Sequence, residues 1–205
     1  IIENNLTIKL SELISYSIKL FDEQKVEIKN SNTEKEILDF LKERMRNILK
    51  EKNIKSDIIE ASISSHIGDN FLDLFKKNVL MNKNINNDIG KNIIGSYKRA
   101  SNIISSSAKK VTGSPDAVLF RLEEEKALFD KINEIRKNFT IKEERKNYEN
   151  LLIQMSETKP FTDNFFDKVK VNVENQDIKN NRLELLQMLC NTFNNFVNFS
   201  KLEGL

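Results

Sequence analysis

The stretch DIKNNRLELLQMLCNTFNNFVNF, residues 177–199, decides the fold class. At 100° per residue, Leu183, Leu186, Leu189, Phe193, Phe196, Val197 and Phe199 cover roughly two thirds of a helical wheel. Glu184, Gln187, Asn191, Asn195 and Asn198 share the one polar sector left over. A helix that is apolar around so much of its circumference must be enclosed by other helices on several sides. The stretch therefore predicts a central core helix, opened by Asp177, with Cys190 in its apolar sector as a core side chain.

The surroundings of that helix carry the same 3.6-residue period. Leu10, Leu13, Ile14, Leu20 and Phe21 follow a possible cap at Thr7, and Thr33 with Glu36 has capping-box spacing before Leu38, Leu41, Met45, Ile48 and Leu49. Ser56 is expected to cap a short helix with Ile58, Ile59 and Ile63, and Asp69 the next, with Phe71, Leu72, Phe75 and Val79. A fifth helix is expected from about Asp88 to Ser106. The longest loop signal runs from Ser105 to Pro115 and is expected to be a mobile connection. Beyond it, residues 122–139 are periodic, Thr140 and Glu143 form another capping pattern before Tyr148, Leu151, Leu152 and Met155, and Pro160 suits a first turn. Phe161, Phe165, Phe166 and Val169 complete a short apolar helix. Adjacent helix positions point about 100° apart, so at least one of Phe165 and Phe166 belongs in the core, and both are expected to be packed.

Composition agrees with the periodicity. With 5 Gly and 2 Pro in 205 residues, few places exist where the chain can reverse tightly, and a strand-rich fold is disfavoured. The expectation is an all-α, single helical bundle-like domain of about eight or nine helices over residues 1–205. No run approaches the length of a membrane span, and the start, Ile1-Ile2-Glu3, reads as a piece cut from a longer, cytoplasmic protein. One cysteine and one histidine, His66, leave no disulfide and no zinc spacing. Phosphate-cradling and nucleophile-elbow motifs need glycines that this chain lacks. Glu123, Glu124 and Glu125 lie on a charge-rich face and are expected to be solvated. No catalytic residue, metal ligand or cofactor site is expected.

The net charge of +2 conceals a polarised segment: residues 76–115 hold 8 basic side chains against the single acid Asp88. Such a stretch suits a polyanion. On the fifth helix, Ile93, Tyr97, Ala100 and Ile104 share a narrow arc, while Lys91, Gly95, Lys98 and Asn102 fall opposite. The helix thus separates an anchoring side from a cationic one. Lysine and arginine contact phosphates, and asparagine can bond base edges or sugars.

The segment Tyr97-Lys98-Arg99-Ala100-Ser101-Asn102-Ile103 resembles a helix in the C-terminal region of the bacterial glycyl-tRNA synthetase beta subunit family. Further matches follow in the family's order: Asp57-Ile58-Ile59-Glu60-Ala61, then Leu128 and Phe129, then Phe165-Phe166-Asp167-Lys168-Val169-Lys170-Val171. Asn181-Arg182-Leu183-Glu184-Leu185-Leu186 and the closing Phe199-Ser200-Lys201-Leu202 complete the series. The sequence departs from the family pattern at Phe75, where an arginine is common, and at Lys170 and Asn172, where apolar residues are usual.

This resemblance implies an all-helical anticodon-binding domain, related to the DALR type, that recognises tRNA for glycine. Glycine activation, with ATP and Mg, then belongs to the parent enzyme and its separate alpha subunit, in a heterotetramer of two alpha and two beta chains. The tRNA contacts are expected at Lys98, Arg99, Asn102 and Lys91, with Lys76, Lys77, Lys109 and Lys110 widening the field. Arg182 is a weaker candidate, because it borders the core helix and can instead pair with Asp167 or Glu184. The rival reading is a structural or subunit-docking helical module whose parent binds tRNA elsewhere.

Overall fold

The computed structural model describes residues 1–64, 70–107, 111–141 and 147–202. Among the described residues there are nine α-helices, two short 3₁₀ turns and no strand. They are α1 (Leu10–Glu23), α2 (Thr33–Glu51), α3 (Ser56–Ile63), α4 (Phe71–Asn84), α5 (Asp88–Ser105), α6 (Glu123–Thr140), α7 (Tyr148–Ser156), α8 (Lys159–Lys168) and α9 (Gln176–Asn194). The 3₁₀ turns are Ala117–Leu119 and Phe199–Lys201. The chain divides into two compact units, one built chiefly from Ile1–Asn82 and the other from Lys83–Ser200. The division falls in the last turn of α4.

The first unit buries Leu10 and Ile14 of α1, Met45 and Leu49 of α2, and Ile58, Ile59 and Ala61 of α3. Arg46 on α2 reaches Glu60 on α3 through Nε to Oε1 at 2.7 Å and also pairs with Glu43. Helix ends show how a glycine-poor chain reverses. Lys25 and Asn53 take the left-handed conformation, at φ 58° and 57°. The amides of Val26 and Ile54 then donate back to the carbonyls of Phe21 and Leu49, at 2.9 and 3.2 Å.

The expected starts of these helices are corrected by one residue or more. Thr33 and Ser56 are already helical, so the caps are Asn32 and Lys55, without side-chain bonds. The Thr33 hydroxyl instead donates to the Asn30 carbonyl, and the Glu36 carboxylate accepts from the side-chain Nδ2 of Asn30. α1 begins after Lys9 rather than at Thr7. Asp69, His66 and Glu143 lie outside the described residues.

The second unit is built around α9, but this helix ends at Asn194, so Phe196, Val197 and Phe199, expected within it, lie beyond its end, Phe199 in the 3₁₀ turn. α9 packs on both α5 and α6, and Leu183, Leu185, Leu186, Met188, Leu189, Cys190 and Phe193 are buried. Of the five residues expected in its polar sector, Glu184, Gln187 and Asn191 lie on α9 and are exposed or half-exposed, while Asn195 and Asn198 lie beyond its end. Asn175 caps the helix by accepting from the amides of Asp177 and Ile178. Phe193, Phe196 and Phe199 are completely buried. Phe199 lies 5.5 Å from the Tyr97 ring and 6.0 Å from Phe193, centre to centre. Burial pushes the Cys190 thiol up to about 12, so it stays protonated and inert.

Residues 108–110 of the 105–115 connection lie outside the described residues. Just beyond Pro115 the chain is fastened to α9. The Asp116 amide donates to Asn181 Oδ1 at 2.6 Å, and Asn181 Nδ2 returns a bond to the Asp116 carbonyl at 3.0 Å.

Candidate nucleic-acid interface

α5 is positioned by its start and by one face. Asn87 accepts from the amides of Ile89 and Gly90 and so caps the helix. A Cβ on Gly90 would sit 2.3 Å from the Asn84 carbonyl oxygen and 2.7 Å from the Ile85 backbone, so only glycine lets α5 leave this turn so closely. Ile93, Ser96, Tyr97 and Ala100 are buried. The Tyr97 hydroxyl accepts from Asn194 Nδ2 at 3.3 Å, and burial raises its pKa. The anchoring side of the sequence wheel is therefore the packed side, although Ile104 is only half-buried.

With that face fixed, helical geometry sends Lys91, Lys98 and Asn102 outward, and all three are exposed. Gly95, expected on the same face, turns toward α8 instead, where its added Cβ would meet the Lys159 side chain at 3.5 Å. α5 is thus packed on two sides, which narrows the open face to an arc through Lys91, Lys98 and Asn102.

Arg99 stands at the edge of that arc in a setting the sequence did not suggest. Its Nη1 donates to Asp163 Oδ1 at 2.9 Å, and Nη2 lies 4.0 Å from Asp167 Oδ1. Its guanidinium carbon lies 4.5 Å from the centre of the Phe166 ring. Asp163 also pairs with Lys159. Phe166 is half-buried beneath Arg99, whereas Phe165 is fully buried and meets Phe166 edge to face at 5.3 Å. Asp163, Phe166 and Asp167 share one side of α8 by their spacing of three and four residues. That spacing was a readable signal, but nothing in the sequence pairs it with Arg99.

Arg182 requires correction. Its side chain is buried, and Nε donates to Glu125 Oε1 at 2.7 Å while Nη1 donates to the Lys170 carbonyl at 2.9 Å. It pairs with neither Asp167 nor Glu184, and its donors face inward. Glu125 requires correction with it: rather than being solvated, it is fully buried at the start of α6. Its Oε2 accepts from the amides of Arg121 and Leu122, both at 2.8 Å, so it ends an otherwise open helix terminus. Burial alone pushes its pKa up, but the bonds from Arg182 and the two amides outweigh this and hold it below the usual carboxylate range.

The wider field also narrows. Lys77 is buried and Lys76 is exposed, both on the first unit, while Lys109 and Lys110 lie outside the described residues. No cluster of three or more metal-ligating side chains exists among the described residues, and no described helix is long and apolar enough to cross a membrane.

Residues 93–202 match the family model of the DALR anticodon binding domain. The match contains Lys98, Arg99 and Asn102 and begins just after Lys91. The chain is 34% identical, over 98% of its length, to the glycine–tRNA ligase beta subunit of Rickettsia africae. It is 34% identical over 82% of its length to that of a Sulfurihydrogenibium species, and 32% identical over 98% to that of Rickettsia prowazekii. It spans 29%, 24% and 29% of the length of these three relatives. A helical unit whose matched region runs from the basic helix α5 through the core helix α9 is the common element, and by that match the chain belongs to the DALR anticodon binding domain family.

Proposed function

We propose that this chain is the anticodon-recognition part of a glycine–tRNA ligase beta subunit and that it binds tRNA for glycine through the open face of α5. The observation that carries the reading is the placement of Lys91, Lys98 and Asn102 side by side on an exposed arc of a helix anchored by Ile93, Tyr97 and Ala100. The lysines supply sequence-independent attraction to phosphates, and Asn102 supplies a donor and acceptor pair for a base edge or sugar. The chain itself performs no chemistry. ATP, Mg and glycine attachment belong to the parent enzyme, in which the beta subunit partners an alpha subunit in a cytoplasmic assembly of two chains of each kind.

The test is a titration of the chain with tRNA for glycine and an anticodon-mutated control at two salt concentrations. Lys98→Ala weakens binding to both RNAs alike. Asn102→Ala costs about 1 to 3 kcal/mol on the cognate RNA and narrows the gap to the control. Unchanged affinity and salt slope in a folded Lys98→Ala/Asn102→Ala double mutant would remove α5 from the interface and favour a docking module.

A further inference from the structure

Arg99 differs chemically from the lysines beside it. A lysine offers a point charge, whereas the Arg99 guanidinium is a plate of fixed shape set among Asp163, Asp167 and Phe166. Its edge faces carboxylates, with Asp163 at 2.9 Å and Asp167 at 4.0 Å. Its guanidinium carbon lies over the Phe166 ring, 4.5 Å from the ring centre. Its side chain is nonetheless 44% exposed, and Asp167 is 70% exposed. Two acids beside it repel a phosphodiester, and Nη1 is already bonded to Asp163. The group that fits the remaining surface is flat, uncharged and rich in hydrogen-bond donors at its rim.

Resting on the tRNA-binding reading, we propose that Arg99, backed by Phe166, is a stacking plate for one unpaired nucleobase, and that Asp167 selects a base with an exocyclic amino group. The base lies on the open face of the guanidinium, which gives a three-layer stack of Phe166, Arg99 and base. Asp167, only loosely engaged by Arg99, accepts from the base's amino hydrogen. Cytosine presents such a donor at N4, and uracil presents an acceptor oxygen at the same place. A carboxylate therefore favours cytosine and opposes uracil.

The stack separates experimentally from simple charge attraction. The probes are a transcript of tRNA for glycine and versions in which each anticodon-loop cytosine is replaced singly by uracil. The 205-residue chain prefers the unsubstituted transcript over at least one of these. Arg99→Lys keeps the charge but loses the plane, and weakens binding about tenfold with the salt slope unchanged. Phe166→Leu, folded by circular dichroism, weakens binding in the same direction. Asp167→Asn weakens binding of the unsubstituted transcript and abolishes the cytosine preference, because an amide can accept from cytosine or donate to uracil equally well. Wild-type affinity in Arg99→Lys, or a retained cytosine preference in Asp167→Asn, overturns the plate while leaving the α5 reading standing if Lys98→Ala still weakens binding. A chain that binds none of the transcripts overturns both.

Discussion

Arg182 and Arg99 stand in the same unit, each paired with carboxylates on another helix, yet the two pairs do opposite things. The Arg182–Glu125 pair has side chains 7% and 0% exposed, and the Arg99–Asp163 pair 44% and 34%. In the first, every polar atom that is removed from water must be satisfied internally, and the bonds to the Lys170 carbonyl and to the amides of Arg121 and Leu122 do so. In the second, water still screens the charges, so the pair holds geometry more than it holds the fold. Burial, and not residue type, separates a structural arginine from one able to meet a ligand.

The largest effect is expected from breaking the buried pair on one side. Glu125→Gln or Arg182→Ala leaves an uncompensated buried partner and costs about 3 to 5 kcal/mol, read as a lower denaturant midpoint. Replacing both, as Glu125→Leu/Arg182→Met, recovers a good part of that loss if the cost lies in the orphaned charge. A double mutant as unstable as the worse single mutant would show that the bonds themselves carry the stability.

Acid should separate the two pairs next. Glu125 has its pKa lowered from 4.5 in the folded chain, so its stabilisation is fully present above that value and is lost as pH falls through the lower, folded one. Urea titrations between pH 6 and pH 3, on the order of one pH unit apart, should show wild type losing stability more steeply than Glu125→Gln. Parallel curves would assign acid sensitivity to other carboxylates.

At the exposed pair the effect on folding is small. Arg99→Ala should change stability by about 1 kcal/mol or less, while lowering affinity for tRNA, so melting and titration disagree for Arg99. A large loss of stability would make Arg99 a second Arg182. Smallest of all, Lys91→Ala should leave melting unchanged and reduce the salt slope of tRNA binding by roughly one counterion, with no change in preference among RNAs.

Much of this molecule was readable along the chain, because helix formation and the direction of a side chain on a helix are local properties. The apolar wheel of residues 177–199 required a central helix, and α9 is one, although it stops at Asn194 and Phe196, Val197 and Phe199 are buried from beyond its end. The wheel of α5 required Lys91, Lys98 and Asn102 to point away from Ile93, Tyr97 and Ala100, and they do. Helix starts were read less well at Ser56, which is already helical, and at Thr33, because a hydroxyl that can cap a helix can equally bond a neighbouring carbonyl, as Thr33 does to Asn30. What lay beyond the sequence were the pairings between helices. Glu125 reads as a surface acid beside Glu123 and Glu124, and only the approach of α9 with Arg182 makes it a buried hub. Gly95 reads as an open position, and only α8 closes it. Arg99 reads as one more cation, and only the arrival of Asp163, Phe166 and Asp167 from a helix more than 60 residues away gives it a plane and a neighbour. Periodicity fixes which side of a helix is apolar. Which helix will cover each remaining side depends on the packing of all of them, and that decides what a charged residue there can do.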